Sequence, residues 1–302
     1  MTADACSNWL VGGNVTATSS IHVIQGNGLY AGSPDGEWAR IGQNQATALA
    51  LLRHRGQVLM SANHGLYSWA SSAGRWTQLQ DETLTEILAI APLSGDPGVL
   101  AGCPYGVATA HRDELGAARW TFYSDHLSPD ERYTNALLID PNDESRWLVG
   151  SEAGLIVYSQ AGAKTARSDL FDTPVRALHY AQNGFWAGSD DRGIFYSEDG
   201  VRWTGAGTGI EGAVYAIAIA GEQLIAATQH GLISGDDQRA WQRLGPRMLF
   251  AAIAVDPQDP ARWLAGASPG GLWHTADAGR SWRQIDRFKH VRAVLAPAGD
   301  AQ

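Results

Sequence analysis

Three acidic residues and one arginine offer the clearest chemistry in this sequence. Glu86, Glu152 and Asp190 are candidate catalytic carboxylates, and Arg176 is the candidate cation beside them. Hydrolysis of a glycosidic bond needs two carboxyl groups about 5–10 Å apart, one of which donates a proton. The arginine could instead bind a carboxylate or the sugar hydroxyl groups of a ligand, or it could form an ion pair that only stabilises the protein. The residue types leave these alternatives open.

A second group of residues combines aromatic, amide and basic side chains, which suit the binding of a polar ligand. Its members are Asn135, Arg176, Tyr215, Tyr133, His64, His230, Arg192 and Tyr105. His64 and His230 each precede a glycine of the same repeated phrase, and two imidazoles could bind a metal ion or relay protons. They belong to distant repeats, so turn histidines at the surface are the favoured interpretation. No metal site is predicted.

Composition and missing motifs exclude several classes of function. The net charge is −9 and the basic residues are scattered, which disfavours nucleic acid and anionic membranes as partners. No apolar run approaches the roughly 18 residues that span a bilayer. P-loop, GxGxxG, GxSxG and HExxH patterns are absent, so no cofactor is predicted. Residues 1–25 lack the pattern of a secretion signal, and a cytoplasmic location is expected.

One phrase recurs seven times: an apolar strand, a short turn ending in glycine, and a strand led by Leu, Ile or Val. Its glycines, about 40 residues apart, are Gly28, Gly65, Gly106, Gly154, Gly193, Gly231 and Gly271. This period, with four short strands per repeat, is typical of propeller blades. The sequence therefore predicts an all-β fold, a single seven-bladed β-propeller domain over residues 1–302 with four antiparallel strands per blade.

The two ends of the chain are predicted to close the ring. Residues 290–297, HVRAVLAP, resemble the VRALHYA segment that starts the fifth repeat. We therefore expect them to supply the first strand of the first blade, completed by strands at 21–26, 29–33 and 37–41. Residues 1–18 are then an N-terminal extension, with 9–13 as an added edge strand. Such closure protects strand edges from aggregation.

The alternating direction of the strands predicts which residues share a face. The turn between the second and third strands of a blade lies on the same face as the start of its first strand, where propeller pockets form. The first strands are predicted to start at Thr47, Glu86, Asn135, Arg176 and Tyr215. The other candidates come from those turns and from the longest insertion, residues 122–134. Long loops on one face of a repeat fold often carry function.

Several repeats end in a recognisable motif. Residues 275–282, TADAGRSW, match S/T-x-D-x-G-x-S/T-W in full, residues 197–203 match it one residue short, and degenerate copies follow at 33–38, 71–76 and 234–241. The chain resembles the Asp-box (BNR) repeat propellers of sialidase-like, sortilin-type, xyloglucanase-like and photosystem II assembly-factor proteins. Asp199 and Asp277 are interpreted as turn-holding residues. The arginine triad of sialidases is not found, so sialidase activity is not expected.

The resemblance is specific for fold but not for function, because those relatives do unrelated things. The first prediction is a binding or scaffold propeller that docks a protein partner or a small polar ligand on the face with the first-strand starts. The alternative is a carbohydrate-active enzyme, a glycoside hydrolase or lyase, with its site at the mouth of the central channel. Whether the protein is an enzyme stays open at this point.

Overall fold

The computed structural model describes residues 7–15, 26–42, 47–70, 75–95, 98–112, 117–207, 209, 212–235 and 241–299. Within these ranges the chain forms seven four-stranded antiparallel sheets in a ring. The predicted seven-bladed β-propeller is therefore confirmed. The helix of the described residues is one turn long, Pro129–Arg132. None of the described segments is an apolar helix of bilayer-spanning length.

The blades are numbered in chain order, and the strands of each blade are counted outward from the axis. Blade 1 contains Phe288–Leu295, Trp9–Val15, Gly26–Gly32 and Trp38–Gly42. Blade 2 contains Ala48–His54, Gln57–Ala62, Gly65–Ala70 and Arg75–Gln78. Blade 3 contains Ala89–Pro92, Val99–Cys103, Gly106–Arg112 and Ala118–Phe122. Blade 4 contains Thr134–Asp140, Asp143–Ser151, Gly154–Ser159 and Lys164–Phe171.

The last three blades follow the same plan. Blade 5 contains Val175–Ala181, Gly184–Ser189, Ile194–Ser197 and Thr204–Gly205. Blade 6 contains Val214–Ala220, Gln223–Thr228, Gly231–Gly235 and Gln242–Leu244. Blade 7 contains Phe250–Val255, Trp263–Ala267, Gly271–Thr275 and Arg283–Ile285.

Strands from both ends of the chain build blade 1. Phe288–Leu295 is its first strand, as the sequence predicts, and pairs antiparallel with Trp9–Val15. Trp9–Val15 also pairs with Gly26–Gly32, so it is an interior strand and not an extension or an added edge strand. Leu10 and Val11 of this strand are fully buried, and both edges of the strand are hydrogen-bonded. The strand is therefore a central part of the blade. The strand predicted at 21–26 lies, except for its last residue, outside the described residues.

A β-bulge turns one side chain of most first strands towards the axis. In blade 5 Val175 pairs with Ser189 and Ala177 pairs with Gly188, so Arg176, which lies between them, has no cross-strand partner. Five other blades show the same register shift, and in blade 3 the equivalent residue directly precedes the strand. The seven axial residues are Arg292, Leu49, Leu88, Asn135, Arg176, Tyr215 and Ala251.

A pair of small residues lies behind each axial residue. The residue that follows is alanine in all seven blades, and it pairs with glycine, serine or alanine of the second strand. A Cβ atom on Gly188 would lie 2.6 Å from Cγ1 of Val214 in the next blade. Gly12, Gly102, Gly150 and Gly266 meet the next blade in the same way. These glycines therefore set the spacing of adjacent first strands.

Aspartates hold the turns between the third and fourth strands of blades 5 and 7. Asp199 Oδ1 accepts hydrogen bonds from the backbone N–H groups of Val201 (2.9 Å) and Arg202 (2.8 Å). These two hydrogen bonds lower the pKa of Asp199 to about 2, and the bond from Arg202 has the larger effect. Asp277 accepts from the hydroxyl (2.6 Å) and the N–H (2.8 Å) of Ser281, which lower its pKa to about 2. Both carboxylates therefore stabilise the turns in which they lie.

We expect the stabilising effect of Asp199 to disappear in acid. The folded-state pKa of about 2 lies below the unfolded value of about 4. The carboxylate therefore stabilises the fold fully above pH about 4, and that contribution is lost as the pH falls towards 2. Urea midpoints of the natural protein and the Asp199→Asn variant should differ at pH 6, and the difference should shrink continuously as the pH falls from about 4 to about 2. A difference that does not change with pH would contradict the assignment.

Candidate functional site

A cavity of about 360 Å³ lies where the first strands converge on the axis. Its described lining consists of Leu49, Leu88, Asn135, Arg176, Tyr215, Leu249, Ala251, Ser268 and Arg292. All seven blades contribute to it. Blades 4, 5 and 6 supply a continuous polar arc, whereas blades 2, 3 and 7 supply mainly apolar side chains. Arg292 of blade 1 faces the polar arc across the channel. We call this space the axial cavity.

Arg176 organises the polar arc through three side chains from two blades. Its Nη1 donates to Glu152 Oε1 at 2.7 Å and to Asn135 Oδ1 at 3.0 Å, and its Nε donates to Asp190 Oδ1 at 3.1 Å. Asn135 Nδ2 donates to the same Glu152 oxygen at 3.2 Å. Burial alone would lower the pKa of Arg176, but the two carboxylates outweigh it and raise that pKa. The guanidinium is thus fixed and already neutralised.

The positions of these residues follow from the strand directions. Glu152 and Asp190 stand in the turns after the second strands of blades 4 and 5, while Asn135 and Arg176 are axial residues of the same blades. The structure therefore brings together four of the residues selected from the sequence. It places them where turns and first-strand starts share a face.

Tyr215 extends the polar arc into blade 6. Burial is the main cause that raises the pKa of its phenol. The charge of Asp190 raises this pKa further, whereas the charge of Arg176 lowers it. The hydroxyl group is therefore protonated at neutral pH and can donate a hydrogen bond to a ligand. Tyr215 also belongs to the lining of the axial cavity, as the sequence predicts.

Arg292 is an axial residue that is not among those selected from the sequence, although the sequence contains a signal for it. The tripeptide Val291-Arg292-Ala293 repeats Val175-Arg176-Ala177, and the two segments are first strands of their blades. Arg292 is exposed to the cavity. Among the described residues it has no hydrogen-bond or ion-pair partner. It is therefore available to a ligand in a way that Arg176 is not.

Glu86 lies outside the described lining of the axial cavity. It borders a concavity of about 660 Å³ between blades 2 and 3, together with His64, Gln80, Asp81 and Glu82. The axial position of blade 3 belongs to Leu88, because Ala89 pairs with Gly102 and fixes the strand two residues later than expected. In blade 2, Leu49 likewise takes the place expected for Thr47.

The remaining candidates surround the axial cavity without lining its described part. Tyr105 Oη accepts a hydrogen bond from the Thr85 N–H at 2.9 Å, and the carbonyl group of Tyr133 accepts one from the Glu152 N–H at 3.2 Å. The Arg192 guanidinium lies 5.3 Å from the Phe195 ring centroid.

The two histidines selected from the sequence lie in different places. His64 borders the concavity between blades 2 and 3, and His230 borders another between blades 6 and 7. The structure therefore does not pair them. Within the described ranges, no group of three or more His, Cys, Asp or Glu side chains is placed to hold a metal ion.

Comparison with known proteins shows similarity of fold. No family model and no curated protein matches the sequence. The GH74 xyloglucanase from Xanthomonas campestris has a TM-score of 0.64 and 20% identity, over 79% of this chain and 45% of its own. The extracellular domain of a proposed one-component system from B. thetaiotaomicron has a TM-score of 0.60 and 13% identity, over 93% of this chain and 46% of its own. The computationally designed Ika8 protein has a TM-score of 0.60 and 15% identity, over 93% of this chain and 90% of its own. The chain thus spans less than half of the two natural structures, and it shares their propeller fold.

Proposed function

We propose that this protein is a small-molecule-binding propeller whose ligand occupies the axial cavity and carries an anionic group. The observation that carries this proposal is the unequal state of the two axial arginines. Arg176 is bound by Glu152 and Asp190, whereas Arg292 faces the cavity with no partner among the described residues. A guanidinium in a concave site is a strong donor to a carboxylate, because two charge-assisted hydrogen bonds can form.

The size and the lining of the axial cavity support a small ligand. Its volume of about 360 Å³ falls within the range of about 300–1,000 Å³ that small-molecule sites occupy. Leu49, Leu88 and Leu249 offer an apolar surface to one side of a ring, while the polar arc offers hydrogen bonds to its substituents. An acidic sugar has this combination of surfaces. The glycoside hydrolase among the structural neighbours supports a sugar body for the ligand.

Docking of a protein partner finds less support on this face. Its exposed large hydrophobic side chains within the described residues are Tyr105 and Tyr133, with 37% and 36% of their surface accessible. Protein interfaces usually bury a larger apolar centre surrounded by a polar rim. Two separate tyrosines do not form such a centre. The small ligand is therefore the better proposal.

Glycoside hydrolysis, the alternative from the sequence, also finds less support in the geometry. A glycosidase needs one carboxyl group that holds a proton and a second that is free to act as base or nucleophile. Glu152 and Asp190 both accept hydrogen bonds from the same guanidinium, and Glu86 borders a different concavity. Glu152 and Asp190 are therefore proposed as positioning residues that orient Arg176.

We also propose that the chain belongs to the Asp-box repeat propellers. Two turns with the same hydrogen bonds support this placement. In blade 5 the Ser197 hydroxyl lies 3.2 Å from Asp199 Oδ1 and accepts from the Gly200 N–H at 2.7 Å. In blade 7 the Thr275 hydroxyl lies 2.8 Å from an oxygen of Asp277 and accepts from the Gly279 N–H at 3.0 Å.

The proposed function is tested with sodium D-glucuronate and D-glucose, which differ mainly by the carboxylate. Isothermal titration at equal ionic strength should show glucuronate binding that the Arg292→Gln variant weakens by about tenfold or more, because a charged hydrogen bond contributes about 1.5–3 kcal/mol. Any weaker binding of glucose should not change in this variant. Arg75→Gln, at an exposed site on the opposite face, is the matched control. The proposal would be refuted if the Arg292→Gln variant bound glucuronate as tightly as the natural protein, or if neither sugar bound.

A further inference from the structure

A second concavity on the same face is basic. It has a volume of about 260 Å³ and lies between blades 6 and 7, where Gln229, His230, Arg243, Arg247 and Met248 line it. His230 and Gln229 come from the turn between the second and third strands of blade 6. Arg243 lies on the fourth strand of that blade, and Arg247 lies in the connection to blade 7. We call this concavity the rim pocket.

The charge of the rim pocket is uncompensated by its described lining. The chain as a whole carries a net charge of −9, yet no acidic residue occurs among the described lining residues of the pocket. Arg243 Nη1 donates to the backbone carbonyl of His230 at 3.2 Å, which orients the guanidinium without neutralising it. Arg247 has neither a hydrogen bond nor an ion pair within the described part of the chain. Two guanidinium groups therefore converge on one concavity with their charges unpaired.

The other side of the face has the opposite charge. The concavity between blades 2 and 3 is lined by Asp81, Glu82 and Glu86. An anion approaching this face is therefore repelled from blades 2 and 3 and attracted to blades 6, 7 and 1, where Arg243, Arg247 and Arg292 lie. This polarity gives a ligand a preferred orientation.

We infer that the rim pocket binds a phosphate or sulfate group. Two guanidinium groups, with the His230 imidazole and the Gln229 amide beside them, offer more donors than one carboxylate can accept. A tetrahedral oxyanion presents three or more oxygens to such a set and matches the paired donors of each guanidinium.

The linings of the rim pocket and the axial cavity meet in the segment that leads into blade 7. Met248 lines the rim pocket, and Leu249, the next residue, lines the axial cavity. This part of the inference rests on the proposed function: the body of the ligand lies at the axis and its phosphate or sulfate group lies at the rim. A phosphorylated or sulfated sugar has the required chemistry.

The rim pocket is tested first with inorganic anions, independently of the axial cavity. Sodium phosphate and sodium sulfate, each titrated at ionic strength matched with sodium chloride, should raise the melting temperature of the natural protein. The variant Arg243→Gln/Arg247→Gln should lose this shift and bind either anion about tenfold or more weakly. Arg75→Gln/Arg280→Gln, which removes two exposed arginines from the opposite face, should keep it. An equal shift in the rim variant would overturn the inference, as would no shift in the natural protein.

A second titration separates this inference from the proposed function. D-Glucuronic acid 1-phosphate, which carries a carboxylate for Arg292 and a phosphate group for the rim pocket, is titrated beside glucuronate and glucose 1-phosphate, which carry one of these groups each. Weakening by the rim variant together with retained binding in Arg292→Gln would support the rim pocket and refute the axial site. Weakening by Arg292→Gln alone would do the reverse. Weakening by both variants is expected if one ligand spans the two sites.

Discussion

Replacing Gly188 with alanine should destabilise the propeller by about 2–3 kcal/mol, the upper part of the range for overpacked sites. The added Cβ atom would lie 2.6 Å from Cγ1 of Val214 and 2.9 Å from the Val214 carbonyl oxygen. A side chain could rotate away, but the carbonyl group belongs to the first strand of blade 6 and is held in its ladder. The strand itself must therefore move. Urea unfolding followed by tryptophan fluorescence measures the loss.

The chain supplies a matched control for this substitution. Gly205 is also a strand glycine of blade 5, and a Cβ atom there would have no heavy atom within 4 Å. Gly205→Ala should therefore leave the urea midpoint nearly unchanged. Because Val214 directly precedes the axial residue Tyr215, Gly188→Ala should also weaken glucuronate binding. Equal midpoints for the two variants would show that the small-residue pairs do not set the spacing of the blades.

The repeat length was sufficient to predict the architecture. A glycine-centred phrase at a nearly constant period fixes the number of blades, and the VRA tripeptide near the C-terminus indicates how the ring closes. Blade 1 was predicted less well because the strand Trp9–Val15 contains two glycines and no copy of the phrase. One of its two partners, Phe288–Leu295, lies at the other end of the chain, so only the three-dimensional pairing with that strand reveals its place.

The register of the first strands limited the prediction of the site. The sequence predicts axial positions for Asn135, Arg176 and Tyr215, which line the axial cavity, and for Glu86, whose expected place Leu88 occupies. An apolar run locates a strand only to within a few residues, and a bulge shifts the alternation of its side chains. The alanine that follows every axial residue would have fixed the register, because that position faces a small residue of the second strand in each blade.

The network around Arg176 could not be predicted from residue spacing. Glu152 comes from another blade, and Asp190 lies in the turn after the second strand of the same blade as Arg176. The meeting of Glu152 with Arg176 therefore depends on how far adjacent blades rotate about the axis. The sequence identified these residues as separate candidates for catalysis and binding. The geometry shows that one guanidinium joins them, which changes their proposed role from proton transfer to positioning.

Removing Arg176 should therefore have the largest effect on ligand binding. In Arg176→Met the carboxylates of Glu152 and Asp190 lose their cation and repel an anionic ligand at the axis. We expect glucuronate affinity to fall about 100-fold, since juxtaposed like charges cost several kcal/mol. Stability should change by only about 1 kcal/mol, because the Arg176, Glu152 and Asp190 side chains are 26%, 29% and 39% exposed. Isothermal titration and urea unfolding measure the two effects separately.

Neutralising the carboxylates tests the reason for that loss. Glu152→Gln/Asp190→Asn in the Arg176→Met background should recover part of the affinity, because the repulsion is removed while Arg292 is retained. The same pair of substitutions in the natural background should strengthen glucuronate binding, because Arg176 is then released to the ligand. Arg202→Gln, which breaks a 2.9 Å ion pair with Asp199 on the opposite face, should change neither result. Affinity that stays low after neutralisation would mean that Arg176 itself contacts the ligand, and unchanged affinity in Arg176→Met would place the ligand away from the axis.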